Sequence, residues 1–371
     1  MIYLLISVIH FASALFAALQ QDYTSLNVDL SGVAHVTALF SYPNCATRCP
    51  NPPPSLDDTV KHWLAASVRR DGYTNATINI HREQDNITAT ITGVPPDYGQ
   101  FITSFLDQGS SGLSDTERLK KDGKWRNDWY YFLPLGLALR NHPTVQLLHF
   151  PPDTVMMQTQ DYLETATTRR WASLLVINGV VDNETDSYQR IIDIAPIAAP
   201  ASAGAELEGT YNYYNEYSSN LIRQWTRPMV NSHTPRPMVA FGGPARQWLA
   251  EYYKLPKVNV LTLTNITPVG GQVVPVLGAN HPSKIWYAAN ITLNHGNETQ
   301  ADIVGLRTMT EDLTSACWQA SMGKDAASNP AVALQKCTVQ WQQTRRKEAC
   351  KSFYTSIRHL SEPAAEKKCS T

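Results

Sequence analysis

Between residues 143 and 290 the chain repeats one pattern, a short apolar run that stops at a turn-forming residue and is followed by a stretch of helical character. Val145 to Phe150 and Ala172 to Ile177 read as strands separated by a helix over Gln158 to Arg170. Tyr211 to Trp225 then predicts a helix, Pro237 to Phe241 a third strand, and Pro244 to Tyr253 a helix with proline in its first turn. Val273 to Leu277 is the fourth strand, although Pro275 has no N–H to give to a ladder. Strands that alternate with helices through short links pair in parallel. The expected fold class is therefore α/β, a parallel sheet with helices on both faces and ligands at the carboxyl ends of its strands.

Around this core, at residues 141–300, the chain is organised differently. Residues 19–140 look irregular, apart from a β-hairpin over Ala76 to Gly93, where Ile78, Ile80, Ile87, Ala89 and Ile91 alternate with polar side chains about a turn at Arg82 to Asp85. Residues 301–371 turn helical, with Asn329-Pro330 as a helix start.

The first residues set the compartment. Residues 1–18 carry no charged side chain, are apolar from Ile2 to Phe16, and end in Ala17 and Ala18 before Gln20, Gln21 and Asp22, the pattern of a cleaved secretory signal. No later segment is long and apolar enough to span a bilayer, so no membrane contact is expected after cleavage. Asn-X-Thr acceptors stand at Asn75, Asn86, Asn183, Asn265, Asn290 and Asn297, as in an exported glycoprotein.

All six cysteines follow the signal, and in an oxidising route they predict three disulfides. Cys45 and Cys49 can close a small ring in the proline-rich loop of Ser41 to Pro54. The other four fall in the C-terminal region, where the expected pairs are Cys317 with Cys337 and Cys350 with Cys369. No two-residue cysteine spacing or companion histidine cluster points to a metal, and no cofactor fingerprint is present. With 31 basic against 32 acidic side chains, no overall field would hold a phosphate polymer, which argues against duplex nucleic acid as a partner.

Chemistry is expected where the strands end. The second run delivers Asn178, the third Gly242 and Gly243, and the fourth Asn280, His281, Pro282 and Ser283. An Asn amide offers both a donor and an acceptor to one flat ligand edge, and a His can bond an oxygen that gathers negative charge. A small planar ligand or nucleobase suits that pair. Each residue also has a plainer use: Asn178-Gly179 is an ordinary turn dipeptide, and Gly242-Gly243 serves a tight strand-to-helix turn.

The order of these ends, Leu174 to Asn178, Met238 to Arg246, and the run into His281-Pro282-Ser283, resembles the uracil-DNA glycosylase superfamily over about residues 143–290. The resemblance implies that Asn178 reads the base edge, that His281 stabilises the departing base anion, and that Pro282 and Ser283 lie against the nucleic-acid backbone. The family's water-placing residue has two candidates here. Asp97 lies in Gly93-Val94-Pro95-Pro96-Asp97, with the expected Gly and Pro spacing, and Asp153 in Phe150-Pro151-Pro152-Asp153, after the better strand. Both also suit turns or helix caps. Two functions follow: hydrolysis of base–sugar N-glycosidic bonds in nucleosides or single-stranded nucleic acid, or a non-enzymatic secreted effector or ligand-binding glycoprotein on the same scaffold. A secreted esterase is a remoter reading, since the sequence has no Gly-Asp-Ser start and no Asp-X-X-His end.

Overall fold

The computed structural model describes residues 24–29, 65, 68–69, 73–83, 86–94, 111–112, 114–131, 144–152, 165–179, 191–228, 234–324 and 329–370. The signal segment, Cys45, Cys49, Asp97, Asp153 and Asn183 lie outside the described residues, as does the side chain of Asn86.

The hairpin forms as its alternation demands. Strand β2 (Thr77–Glu83) pairs antiparallel with β3 (Asn86–Val94), and β1 (Thr24–Asp29) adds to the other edge of β3. A two-residue strand, β4 (Tyr130–Tyr131), pairs with β7 (Ile197–Ala198).

The central sheet has five strands in the order β6-β5-β8-β10-β9. Strands β5 (Val145–Leu148), β6 (Ile191–Asp193), β8 (Met238–Phe241) and β10 (Val274–Ala279) are mutually parallel, and β9 (Leu263–Ile266) runs antiparallel on the outer edge. The sheet is therefore mixed, not purely parallel. Pro275 is accommodated because the ladder to β8 starts one residue later, at Val276 paired with Met238.

Ala172 to Ile177 is not a strand. It is the second half of helix α1 (Ala166–Ile177), capped by Thr165, whose side chain accepts from the backbone N–H of Thr168. Trp171, Ala172, Leu174 and Leu175 are buried while Ile177 is exposed, the spacing of a helix stripe rather than of alternation. The strand that lies beside β5 is Ile191–Asp193, only three residues long.

After β7 come a short helix, α2 (Gly204–Glu208), α3 (Asn215–Trp225) and, directly after β8, α4 (Gly242–Tyr252). Helix α5 (Lys284–Ala288) follows β10. The C-terminal region is helical as expected: α6 (Glu298–Lys324), α7 (Pro330–Val339), α8 (Arg346–Ser356) and α9 (Glu362–Lys368). Asn329 caps α7, accepting from the N–H groups of Ala331 and Val332, with Pro330 at its first position. Disulfides join Cys317 to Cys337 and Cys350 to Cys369, tying α6 to α7 and α8 to the end of α9.

Alternate strand residues divide between two apolar clusters. Val145, Leu147, Met238, Ala240, Val274 and Val276 join the first, with α3, α4 and the hairpin. Leu148, Val239, Phe241, Leu277 and Ala279 join the second, with α1 and the C-terminal helices. No helix among the described residues is long and apolar enough to cross a membrane.

Candidate functional site

Chain order reverses between β5 and β8: from β5 the path steps outward to β6, then returns to the other side at β8. In sheets of this kind the crevice outside the carboxyl ends at such a reversal is where ligands bind. Three segments reach it: His149 and Phe150 after β5, Gly242 after β8, and Asn280 to Ser283 after β10.

Two imidazoles meet there. The rings of His149 and His281 lie edge to face with centroids 5.3 Å apart, and Phe150 packs 4.5 Å from His149 on centroids. Both histidines are held neutral. Burial pushes the His149 pKa down to about 3, helped by His281, and burial pushes His281 down to about 4. The Nδ1 atom of His149 is buried with no hydrogen-bond partner.

The tautomer of His281 follows from its neighbours. The backbone N–H of Ser283 points at His281 Nδ1 from 3.3 Å, and the Ser283 hydroxyl lies 2.5 Å from the same atom. A backbone N–H can only donate, so Nδ1 accepts and the proton of the neutral ring sits on Nε2. The turn is closed by the N–H of Lys284 donating to the His281 carbonyl at 2.8 Å. Ser283 thus orients the imidazole, and Pro282 is buried within the turn.

Gly242 makes room for this ring. Its φ of +80° is a left-handed conformation, and a Cβ there would stand 3.2 Å from the Cβ of His281. Arg246 fixes the same corner, donating from Nε to the Gly242 carbonyl (2.9 Å) and from Nη1 to the Val258 carbonyl (3.0 Å). Gly243 is different: it is exposed, and a Cβ added to it would meet nothing within 4 Å. It gives helix α4 its first turn and makes no close approach to the crevice.

Asn178 does not join the site. It is the C-cap of α1, and its amide is spent: Nδ2 donates to the carbonyls of Leu174 (2.9 Å) and Leu313 (3.3 Å), while Oδ1 accepts from Trp341 Nε1 (2.9 Å). Both amide hydrogens are donated, one within α1 and one to Leu313, and Oδ1 accepts from Trp341, so the side chain caps α1 and ties it to the C-terminal helices. The expectation of a base reader at Asn178 fails because the run preceding it is helical.

Asn280 carries polar structure that sequence reasoning passed over. Its Nδ2 donates to Glu311 (2.9 Å) and Asp312 (3.2 Å), and Lys284 donates to its Oδ1 (2.8 Å). Asp312 is fully buried, and desolvation raises its pKa to about 7 against the lowering pull of Arg170. His149 was the other residue missed. The signal for it was position alone, as the first residue after the apolar run Val145–Leu148.

The carboxyl edge of the sheet therefore holds a neutral N–H donor at His281 beside the rings of His149 and Phe150. That donor suits an oxygen or nitrogen that becomes negative during bond cleavage. Among the described residues no group of three His, Cys, Asp or Glu side chains could hold a metal ion. Compared with known protein families, curated proteins and solved structures, the chain matches none.

Proposed function

We propose that the chain is an exported glycoprotein with a uracil-DNA glycosylase-like core whose switch-point crevice cleaves base–sugar N-glycosidic bonds in nucleosides or single-stranded nucleic acid. The observation that carries this reading is the His281 turn, a neutral imidazole with its Nε2 proton fixed by Ser283 at the carboxyl edge of the sheet. Breaking an N-glycosidic bond leaves an oxocarbenium sugar and a base anion. A neutral donor stabilises that anion as it forms without first surrendering a proton of its own.

Other features support parts of the proposal. The division of strand residues between two clusters favours helices on both faces of the sheet. Two disulfides and exposed acceptor asparagines at Asn75, Asn265, Asn290 and Asn297 favour export and glycosylation. Asp153, one residue beyond Pro152 at the end of the β5 segment, is the preferred candidate for placing water; Asp97 follows the hairpin instead.

The engagement of Asn178 favours a second reading, a non-enzymatic binding protein that holds a small planar ligand in the same crevice. One experiment separates them. Release of free base from uridine and from uridine-containing single strands is measured for the native protein, His281→Ala and Asp153→Asn. Release that disappears in both variants supports the enzyme. Ligand binding that depends on His281, with no base released, supports the binding protein, and indifference of both binding and release to His281 overturns both.

A further inference from the structure

One cavity has neither His149 nor His281 in its lining and is independent of the proposed reaction. It measures about 620 Å³, within the size range of small-molecule sites, and opens between α1, α5, α6 and α8. Arg169 and Arg170 of α1 and Trp286 of α5 line it, with Met309 of α6 and with Thr355 and Ser356 of α8.

The wall is unusual for its buried, under-used cation. The Arg170 side chain is only 8% exposed, and its Nε has no hydrogen-bond partner. Its Nη2 reaches the weakly accepting sulfur of Met309 at 3.6 Å and Asp312 Oδ2 at 3.5 Å, well beyond the roughly 2.7–2.9 Å of a charge-assisted hydrogen bond. A buried guanidinium with donors left over is costly unless something satisfies them. Its one neighbouring carboxylate is meanwhile partly committed to Asn280, which donates to Asp312 Oδ1 at 3.2 Å.

The remaining surfaces define what could fill the space. The guanidinium carbon of Arg170 sits 5.5 Å from the centre of the Trp286 ring, and Trp286 is 44% exposed, so the indole offers a flat apolar surface directly beside the charge. Thr355 and Ser356 donate their hydroxyl protons to the Lys351 and Ser352 carbonyls, which leaves their oxygens as acceptors. Arg169 adds an exposed positive charge at the rim.

We infer that this cavity is a binding site for a small planar anion, its charged group on Arg170 and Arg169, its ring against Trp286, and its hydroxyl or amine donors on Thr355 and Ser356.

The test uses the full-length secreted protein and three probes followed by calorimetry and by tryptophan fluorescence: 6-hydroxy-2-naphthoate, its methyl ester, and 2-naphthyl phosphate. Binding of the carboxylate at least tenfold tighter than its ester is expected. The phosphate tells whether the charged group accepted is a carboxylate or a phosphoryl: tighter binding by one acid assigns the class. Arg169→Ala and Trp286→Ala, both at exposed positions where folding should survive, are each expected to weaken the acid by about tenfold, and Arg170→Met to abolish binding if the variant folds. An ester that binds as tightly as both acids, or affinities unchanged in Arg169→Ala and Trp286→Ala, would overturn the inference.

Discussion

The first cluster packs Trp225, Tyr214 and Tyr217, wholly enclosed, between the sheet and α3, with one polar bond between Thr116 and the Tyr214 hydroxyl (3.0 Å) and another from Trp248 Nε1, which donates to Asn215 (2.8 Å). The second cluster encloses Trp171, Trp318, Trp341 and Phe353 and is likewise threaded by polar bonds: Trp171 donates to Gln319, Gln319 to Thr144, and Tyr354 and Arg358 to Asp302. It also carries both described disulfides. Apolar burial is strong but undirected, whereas buried hydrogen bonds and cross-links fix how one element sits on another. Among the described residues the cross-links make the C-terminal helices the registered side of the molecule, and α3 and α4 lie on the side without them.

Substitutions can break this contrast. Trp225→Ala empties the heart of the first cluster and should cost about 3–5 kcal/mol in a urea titration. Replacing Cys317 and Cys337 together by Ser should cost about 3 kcal/mol, the value for freeing a 20-residue loop, and the loss should be confined to the registered side when followed by hydrogen exchange in α6 and α7. Should the disulfide variant instead loosen α3, the two clusters are one cooperative unit.

Asn178→Ala comes next. It strips two hydrogen bonds between α1 and the C-terminal helices and one capping bond within α1, and should destabilise by about 1–3 kcal/mol, while affinity at the His281 crevice stays as in the native protein. A loss of crevice affinity without a loss of stability would return this residue to the ligand.

Acid sharpens the picture further, because the His149 and His281 pair at the edge of the sheet and Asp312 on α6 titrate in opposite senses. His149 and His281 bind protons more weakly in the folded chain than their ordinary value of 6.5, so their contribution to stability is lost as pH falls below it, toward about 4. Asp312 holds its proton more tightly when folded, at about 7 against 3.8, so its penalty grows as pH rises through that window. The effects partly offset in the native protein, one Asp acting against two histidines. Asp312→Asn removes the compensation and should steepen the loss of stability on acidification by about 1.4 kcal/mol per pH unit between roughly 4 and 7, read from urea midpoints at several pH values. The smallest change is Asn329→Ala, which uncaps α7 for about 1 kcal/mol.

Local chemistry was legible where it was local. The hairpin announced itself by strict alternation, α7 by its Asn-Pro start, and the two C-terminal disulfides by cysteine spacing. The order of Gly242 and His281 at consecutive strand ends could also be read. What failed was the second strand. Leu174-Leu175-Val176-Ile177 has the composition of a buried strand, and only its packing against α6 makes it a helix. The true strand, Ile191–Asp193, is too short to show a period and ends in a buried Asp. That single exchange carried Asn178 into the expected site.

Gly242 answers two demands with one missing atom: a backbone turn that other residues resist, and elbow room for the neighbouring imidazole. Drift at position 242 is therefore chained to position 281. A descendant that gained a side chain at 242 would have to bend its turn and shift His281 by a few tenths of an ångström together, so these two codons should be inherited as a couple.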